Sequence, residues 1–205
     1  MLLIYSRISG PIISVNVVSG QVTIGPSPAN GQYRCGRVLR LARDWAGSVK
    51  SGAMKIAIGA DHAGYELKEK IRQRLAQEGN EVHDKGTNST DSVDYPDFAR
   101  LVGEEVARKD ADFGVLICGS GIGMSIAANK VPGVRAAHVT SMYEAQMARE
   151  HNNANVVTVG ARVLDERTAF QAVEKFLHTP FAGGRHERRV QKIMEIEHQE
   201  QAHHA

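Results

Sequence analysis

A cysteine followed by alternating glycines is the part of this 205-residue chain whose residue types best suit chemistry. The short apolar run from Val115 to Ile117 predicts a buried strand, and Ser125 to Lys130 predicts the start of a helix. The turn between them contains Cys118, Gly119, Ser120, Gly121, Ile122, Gly123 and Met124. Glycines let backbone N–H groups approach a ligand, and a helix N-terminus adds partial positive charge, so this turn could hold an anion.

Cys118 has two interpretations from its position alone. Thiols near helix N-termini ionise more readily than free cysteine and can then serve as a base or a nucleophile. Free cysteines are also among the most buried residue types, so a small buried hydrophobe at a strand end explains the position equally well. The choice depends on which other residues reach this turn.

Arginines and a histidine crowd the predicted start of the last helix, in the sequence Gly183-Gly184-Arg185-His186-Glu187-Arg188-Arg189. The helix dipole disfavours cations there, so the arrangement makes sense if an anion binds. Arg185 and Arg189 lie on one helical face and could clamp a phosphate together with His186. Arg162, which follows another predicted strand, would be a further phosphate ligand. A solvated basic face is the alternative.

Other polar residues follow predicted strands or end predicted helices. Asp61 and His62 come directly after the first strand of the sheet, where a histidine is better placed for substrate than for the core. Asp61 could instead cap the next helix. His151 closes a helix, where the dipole favours a cation, so it has a structural explanation of its own.

Strands alternate with helices from Met54 onward, which predicts a doubly wound, Rossmann-like α/β fold: a five-stranded parallel sheet with helices on both faces. The predicted strands are Lys55–Ala60, Glu81–Lys85, Phe113–Cys118, Val134–Val139 and Asn155–Val159. Apolar stripes predict the intervening helices, one of them over Met142–His151, and a final amphipathic helix after Gly184. Ligands of such sheets bind beyond the carboxyl ends of the strands.

Composition and glycine spacing exclude several classes of protein. A net charge of +2 and 5% aromatic residues argue against a nucleic-acid partner. No apolar run approaches the ~20 residues of a membrane span, so we expect no membrane partner. The glycines lack the spacing of the dinucleotide fingerprint and the G-K-[ST] of a P-loop, which argues against a nicotinamide-dependent oxidoreductase. Two cysteines, Cys35 and Cys118, make no disulfide framework and indicate a reduced, cytoplasmic protein.

The chain is predicted to have three parts. Residues 1–53 contain the loop signal Pro26-Ser27-Pro28-Ala29-Asn30-Gly31 and are interpreted as a non-catalytic extension, such as a leader or an upstream start. Residues 54–198 form the compact domain. Residues 199–205 form a C-terminal tail, in which the histidines indicate a solvated terminus rather than a metal site.

Several motifs together resemble the type-B ribose-5-phosphate isomerase family, which also includes galactose-6-phosphate and allose-6-phosphate isomerases. The resemblance covers about residues 54–198. The motifs are Met54 to Gly64, Asp84-Lys85-Gly86-Thr87, Asp94-Tyr95-Pro96, Cys118 to Gly123, Ala127-Ala128-Asn129-Lys130, His151-Asn152, and Gly183-Gly184-Arg185-His186 followed by Arg189-Val190.

The resemblance implies an aldose–ketose isomerase of the non-oxidative pentose phosphate pathway. Cys118 would be the base that moves a proton between C2 and C1 of the open-chain sugar phosphate through a cis-enediolate. The amides of Gly119, Gly121 and Gly123, with the Ser120 hydroxyl, would form the anion hole for the developing oxyanion.

The remaining site residues follow from the same resemblance. Asp61 and Asn152 would hold sugar oxygens, His151 would assist ring opening and Tyr95 would line the pocket. The phosphate ligands would be His62, Arg162, Arg185, His186 and Arg189. The resemblance implies a homodimer, which could pair further into a dimer of dimers, with the active site shared between subunits. It implies no metal and no cofactor.

Two alternatives to ribose 5-phosphate isomerisation stay open. A six-carbon sugar phosphate such as allose 6-phosphate could be the substrate. The domain could also be a non-catalytic module that binds a sugar phosphate, although the coexistence of Cys118 with His151 speaks against this. One branch of the family replaces the cysteine and places a glutamate base after the glycine loop, but here Met124 occupies that position, which favours the cysteine mechanism.

Overall fold

A computed structural model describes residues 13–18, 21–26 and 53–203, including the side chains of residues 53–199. The chain divides into two units, Met1–Ala46 and Gly47–Ala205. In the first unit, strands β1 (Ile13–Val18) and β2 (Gln21–Pro26) pair antiparallel, with Val18 opposite Gln21. These two strands were not predicted from the sequence. Their signal is the alternation of Val and Ile on either side of Ser19-Gly20, a dipeptide typical of turns. The predicted loop at 26–31 lies, beyond Pro26, outside the described residues.

The second unit contains the predicted five-stranded parallel sheet, which confirms the fold class. Its strand order is β4-β3-β5-β7-β6. The third predicted strand, Phe113–Cys118, has the predicted bounds, whereas the fourth is shorter because it lies at the edge of the sheet and only partly beneath other elements. The strands are β3 (Lys55–Ala60), β4 (Glu81–Asp84), β5 (Phe113–Cys118), β6 (Ala136–His138) and β7 (Val156–Gly160).

Six helices accompany the sheet in the described part of the chain. Side-chain caps begin two of them: the Ser141 hydroxyl accepts the Glu144 N–H, and the Asp165 carboxylate accepts the Thr168 N–H. No helix among the described residues is long and apolar enough to cross a membrane. The helices are α1 (Tyr65–Gln77), α2 (Tyr95–Ala107), α3 (Ile122–Ala128), α4 (Met142–Asn152), α5 (Glu166–His178) and α6 (Arg185–His203), the last continuing beyond residue 198.

The sheet separates two apolar cores. One face is covered by α1, α4 and α5, whose buried side chains include Leu67, Ile71 and Phe176. The other face is covered by α2 and α3 through residues such as Val102 and Met124. The central strands β3, β5 and β7 are buried almost throughout because both faces are covered, which is why they appear in the sequence as continuous apolar runs.

The strand order reverses between β3 and β5, and this places the functional candidates. From β3 the chain moves outward to β4 and then returns to β5 on the opposite side of β3. The carboxyl ends of β3 and β5 are therefore adjacent, and the Asp61 N–H donates to the Ile117 carbonyl over 3.3 Å. A crevice at such a reversal is the usual ligand site of doubly wound sheets.

Candidate active site

Cys118 ends β5 and is only 5% exposed. The Gly121 N–H donates to its Sγ over 3.1 Å, so the loop after the strand folds back over the thiol. Gly121 has φ +80°, and a Cβ built there would lie 2.6 Å from His138 Nδ1. A glycine is therefore required both by the left-handed backbone and by the ring that packs against it.

Thr158 contacts the other side of the same glycine. Its hydroxyl, fully buried on β7, donates to the Gly121 carbonyl over 2.9 Å. Neither Thr158 nor His138 was predicted from the sequence as a site residue. The one available signal for Thr158 is a lone hydroxyl within the apolar run Val156–Gly160, and His138 showed no pattern.

The glycine loop presents free donors beside the thiol. Within the described residues, the N–H groups of Gly119 and Ser120 donate to no protein acceptor, while the Ser120 hydroxyl accepts the Ile122 N–H over 3.3 Å. Ser120 is exposed and Gly119 partly so. Free N–H groups next to a thiol can stabilise an oxyanion that forms on a substrate held against the sulfur.

Asp61 and His62 lie on the turn that follows β3. Asp61 is 6% exposed, and its Oδ1 accepts the N–H groups of Ala63 and Gly64, each over 3.0 Å. It therefore caps this turn, as the alternative interpretation proposed, although the helix N-cap itself is Gly64. His62 Nδ1 accepts the Val93 N–H over 3.3 Å. In the neutral ring the proton then sits on Nε2, which makes that atom a donor.

Tyr95 and Arg162 flank the glycine loop. A Cβ built on Gly123 would lie 2.8 Å from the Tyr95 ring, which is itself 40% exposed. The Arg162 N–H donates to the Gly119 carbonyl over 3.0 Å, and its exposed side chain runs past Gly119. These contacts bring together a first set of predicted site residues, called the loop cluster: Asp61, His62, Tyr95, Cys118, Gly119, Ser120, Gly121, Gly123 and Arg162.

A second set, called the histidine cluster, forms where the end of α4 meets the start of α6: His151, Asn152, Arg185, His186 and Arg189. The rings of His151 and His186 stack with centroids 4.2 Å apart and planes 3° from parallel. Arg185 Nε donates to His186 Nε2 over 3.3 Å. Arg185 and Arg189 are exposed, as an anion clamp requires.

The surroundings of His186 disfavour its protonated form. Its side chain is largely covered, and desolvation together with the positive charge of His151, Arg185 and Arg189 lowers the pKa of His186 below its usual value. A neutral imidazole near pH 7 can still donate one hydrogen bond, while the two arginines supply the positive charge. Such a set is suited to a dianionic phosphate, whose charge would relieve the repulsion.

The two clusters do not touch each other within this chain. Across the described residues, no hydrogen bond, ion pair or ring contact joins a side chain of the loop cluster to one of the histidine cluster. The predicted site residues are thus brought together in two groups rather than in one.

The sequence profile of the Ribose/Galactose Isomerase family matches residues 56–193. The chain belongs to the ribose/galactose isomerase family. The resemblance seen in the motifs is therefore confirmed, and the matched residues contain both clusters. The family's name indicates the interconversion of sugar isomers, which agrees with a thiol and free N–H donors in the loop cluster and with cations in the histidine cluster.

Relatives within the ribose/galactose isomerase family match over nearly their whole lengths. Ribose-5-phosphate isomerase B of Escherichia coli is 46% identical over 143 residues, which are 70% of this chain and 96% of that protein. The structure of Clostridium thermocellum ribose-5-phosphate isomerase B has a TM-score of 0.70 at 52% identity and covers 71% of this chain and 99% of its own. The Mycoplasma genitalium enzyme, solved with bound ribulose-5-phosphate, has a TM-score of 0.69 at 44% identity, covering 71% and 97%.

Proposed function

We propose that this protein interconverts ribose 5-phosphate and ribulose 5-phosphate, the aldose–ketose step of the non-oxidative pentose phosphate pathway. The observation that carries the proposal is that the Cys118 thiol lies beside the free N–H groups of Gly119 and Ser120, in a chain that belongs to the ribose/galactose isomerase family. A relative solved with ribulose-5-phosphate supports the choice of a five-carbon substrate. We expect the reaction in the cytoplasm, where a free thiol stays reduced.

The proton transfer follows from the position of the thiol. The Cys118 thiolate removes the proton from C2 of the open-chain aldose, and the electron pair of that bond moves toward the C1 oxygen. The N–H groups of Gly119 and Ser120 stabilise the resulting enediolate oxygen. The hydroxyl proton at C2 then passes to the C1 oxygen, and the thiol returns its proton to C1, which leaves a ketone at C2.

Ring opening and phosphate binding fall to the other side chains. His151 would take or donate a proton at the ring oxygen and the anomeric hydroxyl, a role that suits an imidazole near neutral pH. Asp61 and Asn152 would hold sugar oxygens, and Tyr95 would line the pocket. The phosphate would bind His62, Arg162, Arg185, His186 and Arg189.

The separation of the two clusters supports a site shared between two copies of the chain. Base and anion hole lie in the loop cluster, whereas the ring-opening histidine and the arginine pair lie in the histidine cluster. We therefore propose a homodimer in which the loop cluster of one protomer faces the histidine cluster of the other. A two-fold axis makes two such sites per dimer.

Turnover of ribose 5-phosphate tests the proposal directly. Cys118→Ala should lower kcat by about 100- to 10,000-fold, because a positioned base contributes about that much. Cys35→Ala, at the chain's other cysteine, is the matched control and should leave kcat unchanged. An inactive wild type, or full activity in Cys118→Ala, would refute the proposal. Activity on allose 6-phosphate exceeding that on ribose 5-phosphate would assign the six-carbon alternative, and tight binding without turnover would indicate a binding module.

A further inference from the structure

The carbonyl end of α4 carries His151 and Asn152, and the end of any helix leaves carbonyl groups without partners inside the helix. Here the chain leaves the helix through Asn153, which has the left-handed φ of 45°. Asn adopts this conformation more readily than most residues other than glycine, and here the N–H groups of Asn153 and Ala154 close the helix end by donating to the Arg149 and Ala148 carbonyls. The orientation of His151 and Asn152 therefore depends on what fixes this helix end.

Arg135 lies one residue before β6, at the edge of the sheet, and its side chain contacts this helix end. Its Nε donates to the carbonyl oxygens of Asn152 over 3.2 Å and Asn153 over 3.0 Å, and its Nη2 donates to Asn153 over 2.7 Å. A guanidinium presents its donors in a rigid planar fork, whereas an ammonium is a point charge on a flexible stem. A cation also stabilises the negative end of the helix dipole.

The Arg135 side chain also contacts α6, the helix that carries the proposed phosphate ligands Arg185 and Arg189. Arg135 Nη1 lies 3.4 Å from Met194 Sδ on α6. Nearby, both carboxylate oxygens of Glu197 accept the Gly133 N–H over 3.0 Å, so α6 is fastened to the chain segment that leads to Arg135. Arg135 thus ties the end of α4 to the helix whose first two turns contribute Arg185 and Arg189.

We propose that Arg135 is a positioning residue: its guanidinium fixes the end of α4 and so aims His151 and Asn152 at the sugar. The proposal rests on the proposed isomerase function and deepens it. A neighbouring arginine, Arg149, contacts the same helix end from the core. It is buried against the rings of Phe113 and Phe176, and it donates to the Asn153 side-chain oxygen over 2.9 Å and to the Thr179 and Ala154 carbonyls. Arg135 differs because it binds the backbone carbonyls of Asn152 and Asn153.

Two variants separate the fork from the charge. Arg135→Met keeps the aliphatic stem and loses every donor, whereas Arg135→Lys keeps the charge but loses the rigid planar fork. Arg100→Met, at an exposed arginine of α2 paired with Glu104, is the matched control. We expect kcat for ribose 5-phosphate to fall about 10- to 100-fold in Arg135→Met, because misplacing a reacting group by about 1 Å costs that much. Arg135→Lys should fall less, and Arg100→Met should match the wild type.

Two further measurements distinguish positioning from a general structural role. The affinity for inorganic phosphate should fall by a smaller factor than kcat in Arg135→Met, because Arg185 and Arg189 themselves are unchanged. The Cε1–H resonance of His151, shifted by the stacked His186 ring, should move in the NMR spectrum of Arg135→Met while that of the distant His83 stays in place.

The proposal is overturned if kcat stays within about twofold of wild type in both variants, or if phosphate affinity falls as much as kcat. An unmoved His151 resonance would overturn it as well. If Arg135→Met does not fold, Arg135→Lys decides the matter by the same three measurements. If the wild type shows no turnover, the proposed function fails, and the His151 resonance still tests whether Arg135 orients this helix end.

Discussion

Gly121 is subject to two constraints that mutation can separate. Its φ of +80° disfavours any side chain, and its Cα faces the His138 ring. Gly79 has a similar φ of +86° with no neighbouring atom within 4 Å of a built Cβ. Gly79→Ala should therefore lower the free energy of unfolding by about 1–2 kcal/mol, which is the cost of a side chain on a left-handed backbone. Gly121→Ala should lower it by about 1–3 kcal/mol more because of the clash with His138, and it should also lower turnover.

Urea unfolding of both alanine variants measures the difference. Because Gly79 lies at the end of α1, away from the loop cluster, Gly79→Ala should keep the wild-type kcat. Equal losses of stability in the two variants would show that the ring of His138 yields freely, and the loop would then be less rigid than its contacts indicate.

His186 should take up a proton when an anion binds the histidine cluster. Its pKa is lowered by desolvation and by neighbouring positive charge, so the free protein favours its neutral form. A bound dianion would offset that charge and raise the pKa, so binding should tighten as pH falls. Sulfate is a suitable probe because it does not titrate in this range.

Calorimetry of sulfate binding near pH 6 in two buffers of different ionisation enthalpy counts the protons. The wild type should take up a fraction of a proton, and His186→Gln should take up none. His83→Gln, which removes a distant histidine, should behave as the wild type. Unchanged uptake in His186→Gln would assign the proton to another group, His151 being the nearest candidate.

At the scale of elements, β4 and α2 are joined by an ion cluster whose strength should depend on pH. His83 lies between the carboxylates of Glu81 and Glu105, and Lys85 Nζ lies 3.0 Å from Glu105. Hydrogen bonds to Glu81 and then Glu105 raise the pKa of His83. A raised pKa stabilises the fold below the unfolded value of about 6.5, and this contribution is lost as pH rises through the folded value.

His83→Gln should therefore destabilise the protein most at low pH. We expect a loss of about 1 kcal/mol near pH 6, shrinking toward pH 9, in the free energy of unfolding measured with urea. His178→Gln, at an exposed histidine that ends α5, is the control for loss of a histidine. A loss that is the same at pH 6 and pH 9 would show that the His83 contacts do not depend on its charge.

The sequence predicted elements best where burial left the strongest pattern. Phe113–Cys118 was predicted with its observed bounds because a strand covered on both faces appears as an unbroken apolar run. The edge strand β6 was overestimated, since Val134 and Val139 are buried although they lie outside it. The hairpin of β1 and β2 was missed because its alternation was outweighed by the surrounding Gly and Pro residues.

The sequence predicted the glycine loop but not what fixes it. Cys118 and the glycines are adjacent in the chain, so their type and spacing were visible together. Thr158 and His138 reach Gly121 only because β7 lies beside β5 and β6 lies beside β7, and local sequence patterns do not reveal strand order. Arg135 was missed for the same reason: its contacts with α4 and α6 are made by packing.

For the whole molecule, the separation of the clusters predicts that one chain cannot provide a complete site. Cys118→Ala damages only the loop cluster, and His151→Ala only the histidine cluster. In a dimer formed from one of each, one site receives both defects and the other receives none. Unfolding the two variants together and refolding them should therefore restore about a quarter of wild-type activity, because about half of the dimers are mixed and half of their sites are intact.

A second mixture controls for this result. Cys118→Ala and Arg162→Ala both lie in the loop cluster, so every site of their mixed dimer keeps one defect and no activity should return beyond that of the parents. Activity regained in the first mixture and not in the second requires that each site take one cluster from each protomer. Mass spectrometry shows whether mixed dimers have formed. If they have formed and neither mixture regains activity, each site must take both clusters from one protomer. The two clusters would then have to close on each other within one chain.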